Sequence, residues 1–370
     1  MSMKSFLVLC AATVAAVIVA ILVVAAQPSY ESPDAKGELV FPNLVASINT
    51  LKTVSVKTKD GTYTMDLNEG GWQFRERDNF AADDKKIAEL VLRLARMQKL
   101  EAKTKVESSY ERLDLGSPEV KDSRAKQVTL IDRDGKVMAE VIVGKRKFTL
   151  GSKEGGTYIR VPGDPQTWLA LGELTPGEKA RDWLKRDIAD IKDKDLKRVQ
   201  VTHPNGEKVI VSKAKPDDVS FKIQGIPGGR EPSTDFVADE FGRVLTLFML
   251  DDVDKLADVK FPADKTIKAE FEGFAGFKVL LDYAEVDGKH WVKVRGEAGA
   301  PSKAVPAANT PPPSAAAAPD SQPEAATDWA KVMADLNARA DGWAFEVPAY
   351  EVAPLKKRMA DVTKKIEAKS

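Results

Sequence analysis

TVSVKTKDGTYTMDL, residues 53–67, is the stretch whose reading decides the fold. Val54 and Val56 alternate with polar neighbours, Asp60-Gly61 makes a turn, and Tyr63, Met65 and Leu67 return with the same period of two. Asp-Gly between two alternating runs is a strong hairpin signal, because the favoured two-residue turn needs positive φ at both central positions. A short third strand is expected at Trp72-Gln73-Phe74, after the Gly70-Gly71 turn. The period then changes. Ile87, Leu90, Val91, Leu94 and Met97 fall on one face of a helix expected over about residues 83–100. Further strands are expected at 127–131, at 136–143 after the Asp134-Gly135 turn, and at 157–161.

The same succession recurs from Lys197. Val199 and Val201 alternate, Asn205-Gly206 turns, and Val209 and Val211 return, with residues 219–223 in the place of Trp72-Gln73-Phe74. A second helix is expected over 234–250, carrying Val237, Phe241, Val244, Leu245 and Phe248, with Ser233, Thr234 and Asp235 as cap candidates. Strands at 267–271, 277–284 and 291–294, with an Asp287-Gly288 turn, complete it. The expected fold is α+β: two tandem similar units, each a mostly antiparallel sheet with one main covering helix. They occupy residues 45–190 and 191–295.

The flanks have other compositions. Residues 5–26 are 22 almost purely apolar positions after Lys4. As a helix they would span roughly 33 Å, enough to cross a hydrocarbon core about 30 Å thick. Residues 1–26 are therefore expected to form a single transmembrane anchor, followed by a juxtamembrane linker over 27–44. Lys4 precedes the span and Glu31, Asp34 and Glu38 follow it, so the bulk of the chain is expected on the periplasmic side of the inner membrane. Cleavage as a signal peptide at Val24-Ala25-Ala26 competes, though the apolar core is longer than usual for one. Residues 296–326, rich in Ala, Pro and Ser, read as a linker. Residues 327–370 read as a helical segment: a helix over 328–340, an extended stretch over 342–350, and a lysine-rich amphipathic helix through Leu355, Met359, Val362 and Ile366.

Composition narrows the chemistry. The one cysteine, Cys10, lies in the apolar stretch, so the rest of the chain has neither a disulfide nor a thiolate metal site. His203 and His290 are too few and too scattered for a histidine metal site. Fifty-six basic residues balance fifty-six acidic ones, which gives no net field favouring nucleic acid. There is no Gly-x-Ser-x-Gly elbow and no phosphate-binding loop, so any energy input would come from another subunit. His203, before a turn, and His290, at a strand start, read as solvated turn or strand-edge residues. Asp251, Asp252, Asp254 and Asp258 read as a solvated helix end, since the run lacks the glycine and terminal glutamate of a calcium loop. Gly225-Ile226-Pro227-Gly228-Gly229 reads as a flexible turn, and Lys145-Arg146-Lys147 with Phe148 as a charged hairpin end that could touch lipid head groups or an acidic partner. Trp72, Tyr158, Phe277 and Trp291 are expected in sheets, while Trp168 and Trp183 fall in connections where an exposed ring could anchor a partner. No catalytic, cofactor-binding or metal residue is assigned, and no cofactor is expected.

Several of these segments together resemble the domain-of-unknown-function 4340 family. They are Trp72-Gln73-Phe74 with the helix of Ile87, Leu90 and Leu94; the connection YERLDLGSP at 110–118; Val141-Ile142-Val143-Gly144 with Gly156-Thr157-Tyr158-Ile159-Arg160; and Arg181-Asp182-Trp183-Leu184. In the connection Leu115 precedes Gly116, reversing the family's usual order. The resemblance spans roughly residues 45–295 and implies an exported, membrane-anchored accessory of ABC-type transport systems related to gliding-motility machinery, with no established catalytic residues to transfer. The expected function is accordingly a non-enzymatic accessory or scaffold subunit. It would be held by inner-membrane lipid through residues 5–26 and partnered by a membrane protein such as an ABC transporter subunit. The alternatives are an envelope lipid- or glycan-binding module with a cleft between the two units, and an exported hydrolase built on convergent carboxylates.

Overall fold

The computed structural model describes residues 37–148, 155–299 and 327–366. The expected anchor and most of the 296–326 linker lie outside the described residues. Among the described residues no helix is long and apolar enough to cross a membrane.

The alternation of residues 53–67 becomes a hairpin of β1 (Leu51–Thr58) and β2 (Gly61–Asn68), which buries Val54, Val56 and Met65. Gly61 takes φ +143° in the turn, a conformation that L side chains rarely adopt. A short helix α1 (Leu44–Ser47) precedes β1, and β3 (Gly71–Phe74) and β4 (Phe80–Ala81) follow β2. Helix α2 (Asp84–Arg96) buries Ile87, Leu90, Val91 and Leu94, the face that the 3.6-residue spacing marked. Asp83 caps it, its Oδ1 accepting from the Lys85 and Lys86 amides at 3.0 and 3.2 Å. The helix stops short of residue 100 because Gln98–Ala102 becomes strand β5. Glu38 accepts from the Lys99 amide and Met97 from the Val40 amide, so residues 37–40 lie along β5, part of the stretch expected to be linker.

Strands β6 (Lys126–Asp132), β7 (Val137–Lys147) and β8 (Gly156–Arg160) appear where expected, and β9 (Thr167–Leu171) adds one in a stretch read as a connection. The resulting nine-stranded sheet runs β4-β3-β2-β1-β6-β7-β8-β9-β5.

The second half begins with β10 (Asp187–Ala189), β11 (Leu196–Thr202) and β12 (Lys208–Ser212), turned at Asn205-Gly206. Then come β13 (Lys222–Ile223), β14 (Arg230–Pro232), helix α3 (Asp239–Gly242), β15 (Phe248–Met249) and β16 (Asp252–Lys255). Three long antiparallel strands follow: β17 (Ile267–Gly273), β18 (Lys278–Val286) and β19 (Lys289–Glu297). The C-terminal part supplies α4 (Trp329–Ala340), β20 (Trp343–Glu346), α5 (Ala349–Lys356), α6 (Met359–Val362) and β21 (Thr363–Lys365). The eight-stranded sheet runs β13-β12-β11-β17-β18-β19-β20-β16, and β10 with β15 and β14 with β21 form two-stranded ribbons. The order β3-β2-β1-β6-β7-β8 in one sheet matches β13-β12-β11-β17-β18-β19 in the other.

Three expectations need correction. The helix expected over 234–250 is four residues, Asp239–Gly242, within a succession of turns. Val237, Phe241, Val244, Leu245 and Phe248 are all buried, but consecutive tight turns bury the same spacing as a helix. Gly242 lies so close to the Phe221 ring that a Cβ would meet it at 2.4 Å, and Leu247 takes φ +50°, which ends helical progress. Of residues 219–223 only Lys222 and Ile223 pair, and Val219 is 90% exposed. The lysine-rich terminal helix is replaced by α5, α6 and β21, the last pairing with β14 from Arg230↔Lys365 to Pro232↔Thr363. The 328–340 helix and the extended stretch after it are present as α4 and β20, with Asp328 as the cap.

The described residues form two compact units. One comprises Val56–Gly61, Ala88–Pro176 and the chain up to Leu51; the other comprises Lys52–Ser55, Thr62–Ile87 and the chain from Gly177.

Candidate functional site

Strand alternation builds a cleft in the second of these units. Valines and aromatics of β11, β17, β18 and β19 face the core, leaving Gln200, Thr202, Glu270, Asp282 and Lys293 on the other face. The end of α4 and the turn Asp341-Gly342 into Trp343 wall one side, enclosing about 910 Å³. Asn337 fixes that wall: its Oδ1 accepts from the Gly296 amide at 2.7 Å and its Nδ2 donates to the Gly296 carbonyl at 2.8 Å. Close approach is possible because residue 296 is glycine, where a Cβ would meet the Met333 sulfur at 2.8 Å.

Several charges of this face are paired locally. Lys293 Nζ lies 3.1 Å from Asp282 and 5.3 Å from the Phe261 ring centre, and Lys278 Nζ lies 2.6 Å from Glu270. The hydrogen bond that the Lys278 ammonium donates to Glu270 holds its pKa above the ordinary value. Lys255 Nζ sits 3.6 Å from the Trp343 ring centre. Paired ions beside Leu256, Leu280, Val294 and Trp343 give the cleft a mixed lining that suits a ligand with both polar and apolar parts.

The aspartates after Leu250 are not a solvated helix end. Asp252 opens strand β16 and takes a bidentate pair from Arg77, at 2.5 Å from Nε and 2.7 Å from Nη2. Asp251 receives Arg186 at 2.9 Å and Arg181 at 3.5 Å. Burial raises the pKa of neighbouring Glu351; the Asp251 charge adds to this and Arg186 opposes it. Asp254 accepts from the Lys255 amide, and Asp258 sits exposed in a turn. Spacing gave no hint of these partners, since Arg77 and Asp252 lie 175 residues apart.

His203 is buried rather than solvated, its Nε2 3.1 Å from the Lys357 carbonyl oxygen. His290 lies on β19 with Nδ1 2.9 Å from the Tyr283 hydroxyl, whose pKa burial raises, and 3.8 Å from Glu285. Glu285 is held below its usual range chiefly by a hydrogen bond from Lys356. Trp183 is 2% exposed and Trp168 is a half-buried residue of β9 with Lys99 over its ring, so neither is a free anchor. Trp72, Tyr158 and Trp291 lie in strands as expected, and Phe277 is buried one residue before β18, stacked 3.9 Å from Trp329. Gly225 and Gly229 take positive φ in a turn, and Lys145, Arg146 and Lys147 end β7 beside Phe148. Among the described residues no group of His, Cys, Asp and Glu could hold a metal ion.

The sequence model of the family described as "Domain of unknown function (DUF4340)" matches residues 72–261, just over half of the chain. No curated protein and no solved structure matches.

Proposed function

The chain belongs to the DUF4340 family, whose description prescribes no activity, and we propose that it is a non-enzymatic, membrane-anchored accessory or scaffold subunit of an envelope system, of the ABC-transport or gliding-motility-like kind that the family resemblance implies. Its apolar residues 5–26 would hold it in the inner membrane, with the sheets on the periplasmic side. The matching strand orders of the two sheets are read as an internal duplication that offers two similar surfaces on one tether.

One observation carries the reading: of the groups with a shifted pKa, only Lys278 reaches the cleft, through its partner Glu270, and the cluster of Tyr283, Glu285 and Lys356 lies outside the cleft lining. Glu119 with Lys57, Asp190 with Lys192, Arg77 with Asp252 and Glu285 with Lys356 stand on different elements, each fixing local structure. Perturbed groups that converge in a cleft point to catalysis, whereas structural ion pairs also shift pKa values. The test is cross-linking in native membranes followed by capture of the full chain through a C-terminal tag. Transporter permease or ATPase subunits recovered in near-equal amounts support the proposal; a chain recovered alone at every cross-linker length overturns it.

The cleft of about 910 Å³, which lies within one unit and not between the two as expected from the sequence, favours a second reading, an envelope lipid- or glycan-binding module. Titration of the chain with envelope oligosaccharides and lipids, followed by amide shifts on β17 to β19, tests it. Shifts confined to other elements count against it.

A further inference from the structure

The register of the first sheet brings one end of it into a single row. Leu39 bridges Gln98, Gln98 pairs with Leu171, Leu171 with Gly156, and Gly156 with Lys147. Four inter-strand steps of about 4.8 Å place Lys147 roughly 19 Å from Leu39. The described chain enters at this row: the Gly37 amide donates to Gln98 Oε1 at 3.1 Å, and a Cβ there would meet the Lys99 carbonyl oxygen at 2.2 Å.

At the same end β7 shifts register between Val143 and Arg146, a bulge that re-aims the residues after it. Phe148 is 72% exposed, with the Arg146 guanidinium 4.5 Å from its ring centre. Arg146 also pairs with Glu173, whose carbonyl accepts from Arg93 Nη1 at 3.1 Å, tying the last turn of α2 to this tip. Arg93, Lys99, Arg146 and Lys147 stand here against Glu38, Glu89 and Glu173, a surplus of one positive charge.

We propose that this end of the sheet, centred on Arg146, Lys147 and Phe148, rests on an anionic lipid surface. The inference builds on the tether reading above. Ten residues, 27–36, separate the apolar stretch from Gly37, and ten residues reach at most about 35 Å. The opposite end of β7, at Val137, lies ten residues of strand from Lys147, about 33 Å further along the strand direction. A tether entering at the Lys147 end keeps that end nearer the attachment point than the opposite end. A protruding ring flanked by basic side chains matches the interface, where aromatic rings sit at head-group level and lysine and arginine face anionic lipid.

The test uses the full chain in a C10S background, with an environment-sensitive fluorophore on F148C or, as control, on V137C at the opposite end of β7. The labelled chains are reconstituted into vesicles of phosphatidylcholine alone or mixed with phosphatidylglycerol, some carrying head-group spin labels. The expected result is quenching of the F148C label in anionic vesicles, weakened by salt, with the V137C label unaffected. K147Q is expected to lower the contacting fraction about fivefold, the factor one basic residue contributes near an anionic leaflet. A chain that withstands alkaline carbonate extraction while its F148C label is as unquenched as the V137C label overturns the proposal and spares the tether. A chain stripped by carbonate overturns both.

Discussion

At the scale of single residues, charges in this protein act as fasteners. Arg77 makes two parallel bonds to a carboxylate only 22% exposed. Truncation by R77A is expected to cost about 1–2 kcal/mol in urea denaturation, with R77K restoring only part, because an ammonium cannot reproduce the planar fork. Glu351 behaves oppositely. Burial raises its folded-state pKa above the ordinary 4.5, so the folded state holds its proton more tightly than the unfolded chain does. Its contribution to stability is therefore fully present below about pH 4.5 and is lost as pH rises through the raised folded value. E351Q should be more stable than the native chain at neutral pH and lose that lead on acidification. Thermal melts across pH that show parallel curves for the two proteins would refute this.

At the scale of elements, α4 takes the place expected for the helix over 234–250. It lies against β19, with Met333 and Leu336 over Gly296 and the two Asn337 bonds to the Gly296 backbone. N337A strips a donor and an acceptor of their partners and is expected to cost about 1–3 kcal/mol. Hydrogen exchange at the Gly296 amide should accelerate in step; protection equal to that of the native chain would show that the contact does not hold the helix. The strands were legible in the sequence because alternation and Asp-Gly or Asn-Gly turns are local signals, as at residues 53–67 and at Asp287-Gly288, where both residues take positive φ. The cleft was legible only as the polar half of that alternation. Its wall comes from beyond residue 326, and no local period announces which sheet a distant helix will cover. The 234–250 expectation failed for a related reason, since Gly242 is set by contact with Phe221 and not by its own neighbours.

At the scale of the whole molecule, residues 327–366 belong to the fold. Strand β20 stands between β19 and β16, paired to β19 at Trp291↔Glu346 and Val292↔Phe345, and to β16 from Asp252↔Glu346 to Lys255↔Trp343. Phe80 meets both Trp343 and Phe345 edge-on, with ring centres 5.0 and 6.1 Å apart. A chain ending at Gly299 leaves β19 an open edge and β16 without a neighbour in its sheet. Such an edge invites pairing with other chains, so the truncated protein is expected in the insoluble fraction. A soluble truncation with native-like exchange protection on β17 to β19 would contradict that.

The position of β20 also dictates an order of events. A ribosome makes β16 some ninety residues before the strand that must lie beside it, and β19 almost fifty before. Until Trp343 to Glu346 emerge, the growing polypeptide carries a gap in its sheet that only its own tail can fill. Native closure is thus a late step, which waits on a strand made well after β16 and β19.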